Sequence, residues 1–185
     1  MLTSRQSTGA ALLAFIATLV LLAGSVCAAA VHFLLAGRQL ASLQLDREIA
    51  FRAAEAALKD AEADLIAATA PDSLRLAAWP SPGTCADGAQ RGICWPQGDR
   101  SAWQAWRDGQ ATEDIGVAVG TFTGAQLPEL PADVIGAHKL PRYLIEIVAG
   151  EVGPGHGMWP RMRIVALGMG RDPDIRVLLQ TEFQP

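Results

Sequence analysis

Hydrophobic positions are spread unevenly along the chain, and three patterns follow one another. Ala10 to Gly37 contains no Asp, Glu, Lys or Arg. As a helix rising ~1.5 Å per residue, this run would reach ~42 Å, longer than the ~30 Å hydrocarbon core of a bilayer. From Arg38 to Ala70 neither proline nor glycine occurs, and Ala, Leu, Glu, Asp, Arg and Gln, most of them strong helix formers, dominate. Within that stretch Phe51, Ala54, Leu58, Ala61, Leu65 and Ala68 recur at steps of three and four, which places them on one helical face. Glu48 with Arg52 and Glu55 with Lys59 are i,i+4 pairs in the favourable direction, and they support helicity more than function. The pattern predicts one long helix that ends at Pro71. Its seam has two readings, a face packed on the chain's own following domain or a face for partner helices.

After Pro71 the period is lost among Pro80, Pro82, Gly83, Gly88, Gly92, Pro96 and Gly98, which mark a loop region. Ser101 to Arg107 reads as a short helix. Trp79, Trp95, Trp103 and Trp106 surround this region and are expected to form a small core of their own, with an exposed aromatic contact surface as the rival reading.

The last third changes to a period of two. Strands are predicted at Ile115–Thr123, Arg142–Ala149, Arg161–Gly168 and Ile175–Phe183, each with one apolar face. In the second, Tyr143, Ile145, Ile147 and Ala149 oppose Glu146. Gly168 to Asp174, with Gly170 and Pro173, reads as a hairpin connection. A sheet with one apolar face needs a cover, and the seam on the long helix is the best available one. The expected fold class is therefore α+β, a long N-terminal transmembrane and amphipathic helix packed on a small antiparallel β-sheet domain.

The formal net charge of −4, with no basic run, excludes a phosphate-tracking nucleic-acid binder. The N-terminus distinguishes three kinds of processing. A removed signal peptide would use Arg5 and the alanines at 28–30, yet the apolar run continues past them as Val31 to Leu35. A lipoprotein would be modified at Cys27, but Gly24-Ser25-Val26 does not fit the pattern that modification requires. The third reading is a short polar leader, Met1 to Gly9, cut before Ala10. It leaves the whole apolar helix on the mature chain. With Arg5 ahead of the run, the positive-inside rule puts the N-terminus in the cytoplasm and everything after Gly37 outside.

The resulting segments are a leader at 1–9, a transmembrane half-helix at 10–37, an amphipathic half at 38–70 and a periplasmic globular domain at 71–185. Cys85 and Cys94, nine apart in the loop region, are then in an oxidising compartment and are expected to form a disulfide; reduced, buried cysteines are the alternative.

No nucleophile elbow, phosphate loop, HExxH or dinucleotide fingerprint occurs. Gly150 to Gly157 reads as a long hairpin loop. Glu113-Asp114 and Asp172 with Asp174 read as solvated turns rather than calcium ligands. His138 and His156 are isolated and read as surface residues. No metal, no cofactor and no catalytic residue are expected.

Three stretches together resemble the PilX family of type IV pilus minor pilins: Arg5-Gln6-Ser7-Thr8-Gly9-Ala10-Ala11-Leu12-Leu13, then Ala50-Phe51-Arg52-Ala53-Ala54-Glu55-Ala56-Ala57-Leu58-Lys59-Asp60-Ala61-Glu62, and Arg163-Ile164-Val165-Ala166-Leu167-Gly168-Met169-Gly170 followed by Val177-Leu178-Leu179-Gln180. The resemblance implies a prepilin cut between Gly9 and Ala10 by the prepilin peptidase and methylated on the new N-terminus. It implies an inner-membrane, single-pass protein that enters an extracellular pilus. Its implied partners are other minor pilins, the major pilin and a PilY-type tip adhesin. Pilins commonly carry glutamate at the fifth mature position, where this sequence has Ala14. A subunit without that carboxylate cannot pair it with a neighbour's amine, which points to a place at or near the tip. The readings from other classes are a signal-anchored or secreted periplasmic enzyme or binding protein, and a minor pseudopilin of type II secretion.

Overall fold

The computed structural model describes residues 6–98, 101–107, 115–129, 135–148 and 160–184, with side chains excepted at 6–8 and 105–107. The chain divides into two compact units, Met1–Gln44 and Leu45–Pro185. Helix α1, Gln6–Ala68, contributes to both.

In the first unit the apolar side chains of α1 are exposed on every side, Leu12, Phe15, Leu21, Val26, Phe33 and Leu34 among them. Among the described residues it is the one helix long and apolar enough to cross a membrane. A helix apolar all round has its surface satisfied by lipid or by other helices, not by water.

The second unit is a helix laid on a mixed sheet. Five strands take part: β1 Ile93–Cys94, β2 Val117–Ala118, β3 Arg142–Ile147, β4 Met162–Met169 and β5 Arg176–Phe183. The order is β1-β3-β4-β5, with β2 also on β3. β3, β4 and β5 are consecutive antiparallel neighbours, with Ile145 opposite Ile164 and Ala166 opposite Leu179. β1 is parallel to β3, a strand that the glycine- and proline-rich sequence around it conceals. The short helix α2, Ala102–Arg107, stands where the sequence predicts one.

The predicted strand Ile115–Thr123 is reduced to Val117–Ala118, which pairs with Tyr143 and Arg142. Beyond it the chain turns, with Thr121 N–H on Ala118 O and Gly120 at φ +80°. The physical reason lies on the helix, where the Asp60 carboxylate accepts from Gly120 N–H at 2.8 Å and from the Thr123 hydroxyl. A captured turn cannot continue a ladder.

The main core lies between helix and sheet. It joins Ala57, Ala61, Leu65 and Ala68 of α1 to Tyr143, Ile145, Met162, Ile164 and Ala166, with Leu76, Ile93 and Val117 at its edges. A second cluster lies on the opposite sheet face, where Leu144, Val165 and Leu167 are covered by Trp103, Ala102, Ile115 and Leu178. Both faces of β3 and β4 are therefore buried, and Glu146, expected on a polar face, is 2% exposed. The four-tryptophan core does not form. Trp79 packs with the helix-side cluster and Trp103 with the other, so the sheet separates them. The side chain of Trp106 lies outside the described residues.

Candidate functional site

Gly9 and Ala10 lie near the start of α1 and are exposed, as is Ala14 one turn later. The remaining candidates lie in the second unit, where the helix face toward the sheet has a distinctive composition. Its buried positions are Asp46, Ala50, Ala54, Ala57, Asp60, Ala61, Asp64, Leu65 and Ala68. Ala54, Ala61 and Leu65 of the predicted seam are on it, and Leu58 is partly buried beside it. Phe51 of the predicted seam is 40% exposed, and the position buried against the sheet is Ala50. The cause is how close the helix comes. A Cβ built on Gly168 of β4 would stand 2.0 Å from Ala50 O and 2.4 Å from Ala54 N, so helix and strand backbones touch there. Only glycine against alanine allows that approach.

Three carboxylates interrupt this alanine face, and each ties down a different part of the unit. Asp46 Oδ1 accepts from Arg171 N–H at 3.0 Å and from Arg171 Nε at 2.7 Å, holding the β4–β5 turn. The side-chain hydrogen bond from Arg171 holds the Asp46 carboxyl below the usual range. Asp60 holds the turn after β2, as described above. Asp64 is the centre of a buried network. Arg75 Nε and Nη2 donate to its Oδ2 at 3.0 and 2.8 Å, Nε also reaches Oδ1 at 3.1 Å, and the Tyr143 hydroxyl donates to Oδ2 at 2.7 Å.

The third nitrogen of Arg75, Nη1, donates to Ala89 O at 3.0 Å and Arg91 O at 2.7 Å, and the Phe122 ring stacks 3.8 Å from its guanidinium carbon. Burial, and then the Asp64 charge, push the Tyr143 phenol well above its ordinary range, so it stays a donor. The signal for Asp46 and Asp64 was their spacing, since 46, 50, 54, 57, 61, 64 and 68 form one stripe of threes and fours, while Asp60 stands one position off it.

The outer helix surface carries exposed ion pairs, Arg52 with Glu48 at 2.8 Å and Lys59 with Glu55 at 3.0 Å. They sit where the sequence put them, and solvent screening leaves such exposed pairs little weight in stability.

Cys85 and Cys94 are bonded, with Cα atoms 4.0 Å apart. The bond closes a small hairpin in which Gly83 N–H reaches Trp95 O at 2.7 Å and Trp95 N–H reaches Thr84 O at 3.0 Å. Its second arm continues as β1, so the disulfide fixes the strand that extends the sheet beyond β3. Gly92 supports this. It takes φ +83°, and a Cβ there would strike Val117.

Glu146 stands beside this hairpin, opposite Cys94 on β1 and Arg163 on β4. Its Oε1 lies 3.4 Å from Trp103 N–H at the start of α2. Burial raises its carboxyl above the usual range, against the opposing effect of the N–H groups of Trp103 and Ala102, the Ser101 hydroxyl and Arg163. A cleft of about 340 Å³ opens next to it, walled by Pro96, Ser101, Trp103, Gln104 and Val148.

Among the described residues no group of three or more His, Cys, Asp or Glu could hold a metal. His138 is exposed, and its N–H donates to Gly170 O at 2.7 Å. Asp174 N–H donates to Asp172 Oδ1 at 3.0 Å, within a turn. Glu113, Asp114, His156 and the Gly150–Gly157 loop lie outside the described residues.

Residues 81–185 match the family described as Type IV pilus assembly protein PilX C-term, which takes in the disulfide hairpin and the entire sheet. No curated protein and no solved structure matches the chain.

Proposed function

The chain belongs to the PilX family of type IV pilus assembly proteins, and from that premise we propose that it is a minor pilin working at or near the fibre tip, where it helps to start assembly. The observation that carries the tip position is Ala14. In a fibre core without water, a carboxylate at this position needs a cationic partner. A subunit with alanine there neither needs nor offers that contact, and the leading subunit has no chain ahead of it to supply the amine.

Residues 1–9 act as the leader, and the prepilin peptidase cuts between Gly9 and Ala10 before the new N-terminus is methylated. Residues 10–37 hold the chain in the inner membrane, and 38–70 carry the helix out to a periplasmic domain at 71–185. The side-chain-exposed apolar helix supports this reading, because it is the kind of surface that lipid covers first and neighbouring pilin helices cover later. A bonded cysteine pair supports placing the sheet unit in an oxidising compartment. The partners are the other minor pilins, the major pilin and a PilY-type tip adhesin. The role is structural, with the chain contributing surfaces and not chemistry.

Two measurements test this. Mass spectrometry of the N-terminal peptide from sheared pili is expected to show N-methylated Ala10, and a start near Val31 would mean ordinary secretion. Immunogold label is expected at fibre ends in wild type, with Ala14→Glu adding label along the shaft. Wild-type label spread along the shaft would sink the tip assignment.

A further inference from the structure

The pilin reading leaves one buried ionisable group unused. Glu146 sits in the middle of β3 at 2% exposure, on the sheet face away from α1. Its surroundings are specific. On one side is Cys94 of β1, tied up in the disulfide; on the other is Arg163 of β4, which also lies 3.9 Å from Glu182 of β5. Above it is the start of α2, where the Ser101 hydroxyl and the N–H groups of Ala102 and Trp103 face the carboxylate. Among the described side chains α2 brings no acid or base to this site, and the rest of the cleft wall, Pro96, Gly98, Gln104, Ile147 and Val148, adds none. Glu146 thus performs from the sheet the task that an N-cap side chain normally performs from within the helix.

We propose that Glu146 makes the seating of α2 on the outer sheet face depend on a proton, so that protonating this one carboxyl tightens the seat and ionising it loosens the seat.

The reasoning is a comparison of two states. With α2 seated, Trp103 covers Leu144, Val165 and Leu167, and the carboxyl is cut off from water. With α2 lifted, water reaches the carboxyl and restores its ordinary acidity. Seating therefore favours the neutral form, because burial outweighs the three donors and Arg163. By linkage the seated state takes up the proton more readily. Seating is strongest at low pH and weakens as pH rises through the raised value. The direction is opposite to that of Asp46, whose tie is lost in acid. Asp46 holds the β4–β5 turn to α1, whereas Glu146 lies under α2 on the face away from α1, so acid loosens one attachment as it tightens the other.

The test uses the full chain in detergent micelles, labelled with 5-fluorotryptophan, with the Trp103 resonance identified from Trp103→Phe. Fluorine spectra are recorded from about pH 4 to about pH 8. The Trp103 signal is expected to titrate with a midpoint above that of an ordinary glutamate. In Glu146→Gln, which keeps an acceptor and cannot ionise, the signal is expected to stay at its acid position throughout. Should that variant fail to fold, Arg163→Gln provides the second arm, because removing the neighbouring cation is expected to move the midpoint to higher pH. A pH-invariant Trp103 signal in the wild type, a titration that persists in Glu146→Gln, or an unmoved or lowered midpoint in Arg163→Gln would each overturn the proposal.

Discussion

Gly168 and Asp64 are the two residues on which the second unit is most sensitive to substitution, for opposite reasons. At Gly168 the difficulty is space. Any side chain meets the backbone of Ala50 and Ala54, which cannot move aside as a side-chain tip can. Gly168→Val is expected to destabilise the unit by about 1–3 kcal/mol or more, read as a lower denaturant midpoint of the full chain in detergent. An unchanged midpoint would mean that helix and strand are not in contact there. At Asp64 the difficulty is charge. Asp64→Ala leaves Arg75 buried at 6% side-chain exposure without its anion, a loss of roughly 3–5 kcal/mol. Tyr143→Phe removes one hydrogen bond and is expected to cost only about 1 kcal/mol. A Tyr143→Phe effect as large as that of Asp64→Ala would show that the hydroxyl, and not the ion pair, organises the network. Asp46 adds a pH dependence with a definite sign. Its folded value lies below its unfolded one, so its tie to Arg171 is present above the ordinary aspartate range and lost as pH falls through the depressed value. Amide exchange at Arg171, corrected for intrinsic rate, should accelerate in acid in the wild type and show no such step in Asp46→Asn.

Elements differed in how readily the sequence disclosed them. The long helix and strands β3, β4 and β5 were readable because each follows its own period for six residues or more. β1 was not, and β2 was read too long, as Ile115–Thr123 where Val117–Ala118 pairs; both are two residues long and held by neighbours instead of by pattern. β1 exists because the Cys85–Cys94 bond and the Gly92 turn deliver it to β3; β2 stops because Asp60 takes the backbone away. The helix seam was readable to within one residue. Phe51 looked like the better core residue on hydrophobicity, and nothing in one sequence reveals that Gly168 brings the sheet too close for it. Glu146 was misplaced because alternation shows which face a residue is on but not whether a second layer, here α2, covers that face. The hairpin provides the check at this scale. Replacing both cysteines with serine is expected to cost roughly 2–3 kcal/mol and to speed amide exchange in β1 far more than in β4. Equal loss of protection across the sheet would make the disulfide a general staple and not the fastening of one strand.

In the molecule as a whole, the helix-to-sheet ties form groups that can be told apart. Asp46 and Asp64 are eighteen positions apart, some ~27 Å along a helix, and hold segments with no shared side chain. Combining Asp46→Ala with Asp64→Ala should therefore give effects that add to within about 0.5 kcal/mol. Asp60 and Asp64 are one turn apart. The turn that Asp60 captures contains Phe122, whose ring lies on the Arg75 that Asp64 pairs. Asp60→Ala with Asp64→Ala should fall well short of additivity, and a full sum would show that Phe122 does not link them. In the role proposed above, the same three attachments also carry load. A pull along α1 meets the β4–β5 turn, the turn after β2, and β3 with the 75–91 loop at three places along the helix at once. It must shear them together, since no single segment can be peeled away while the others stay bound to the same rod. Tension arriving through the helix is thus shared across the sheet unit before any one strand begins to part.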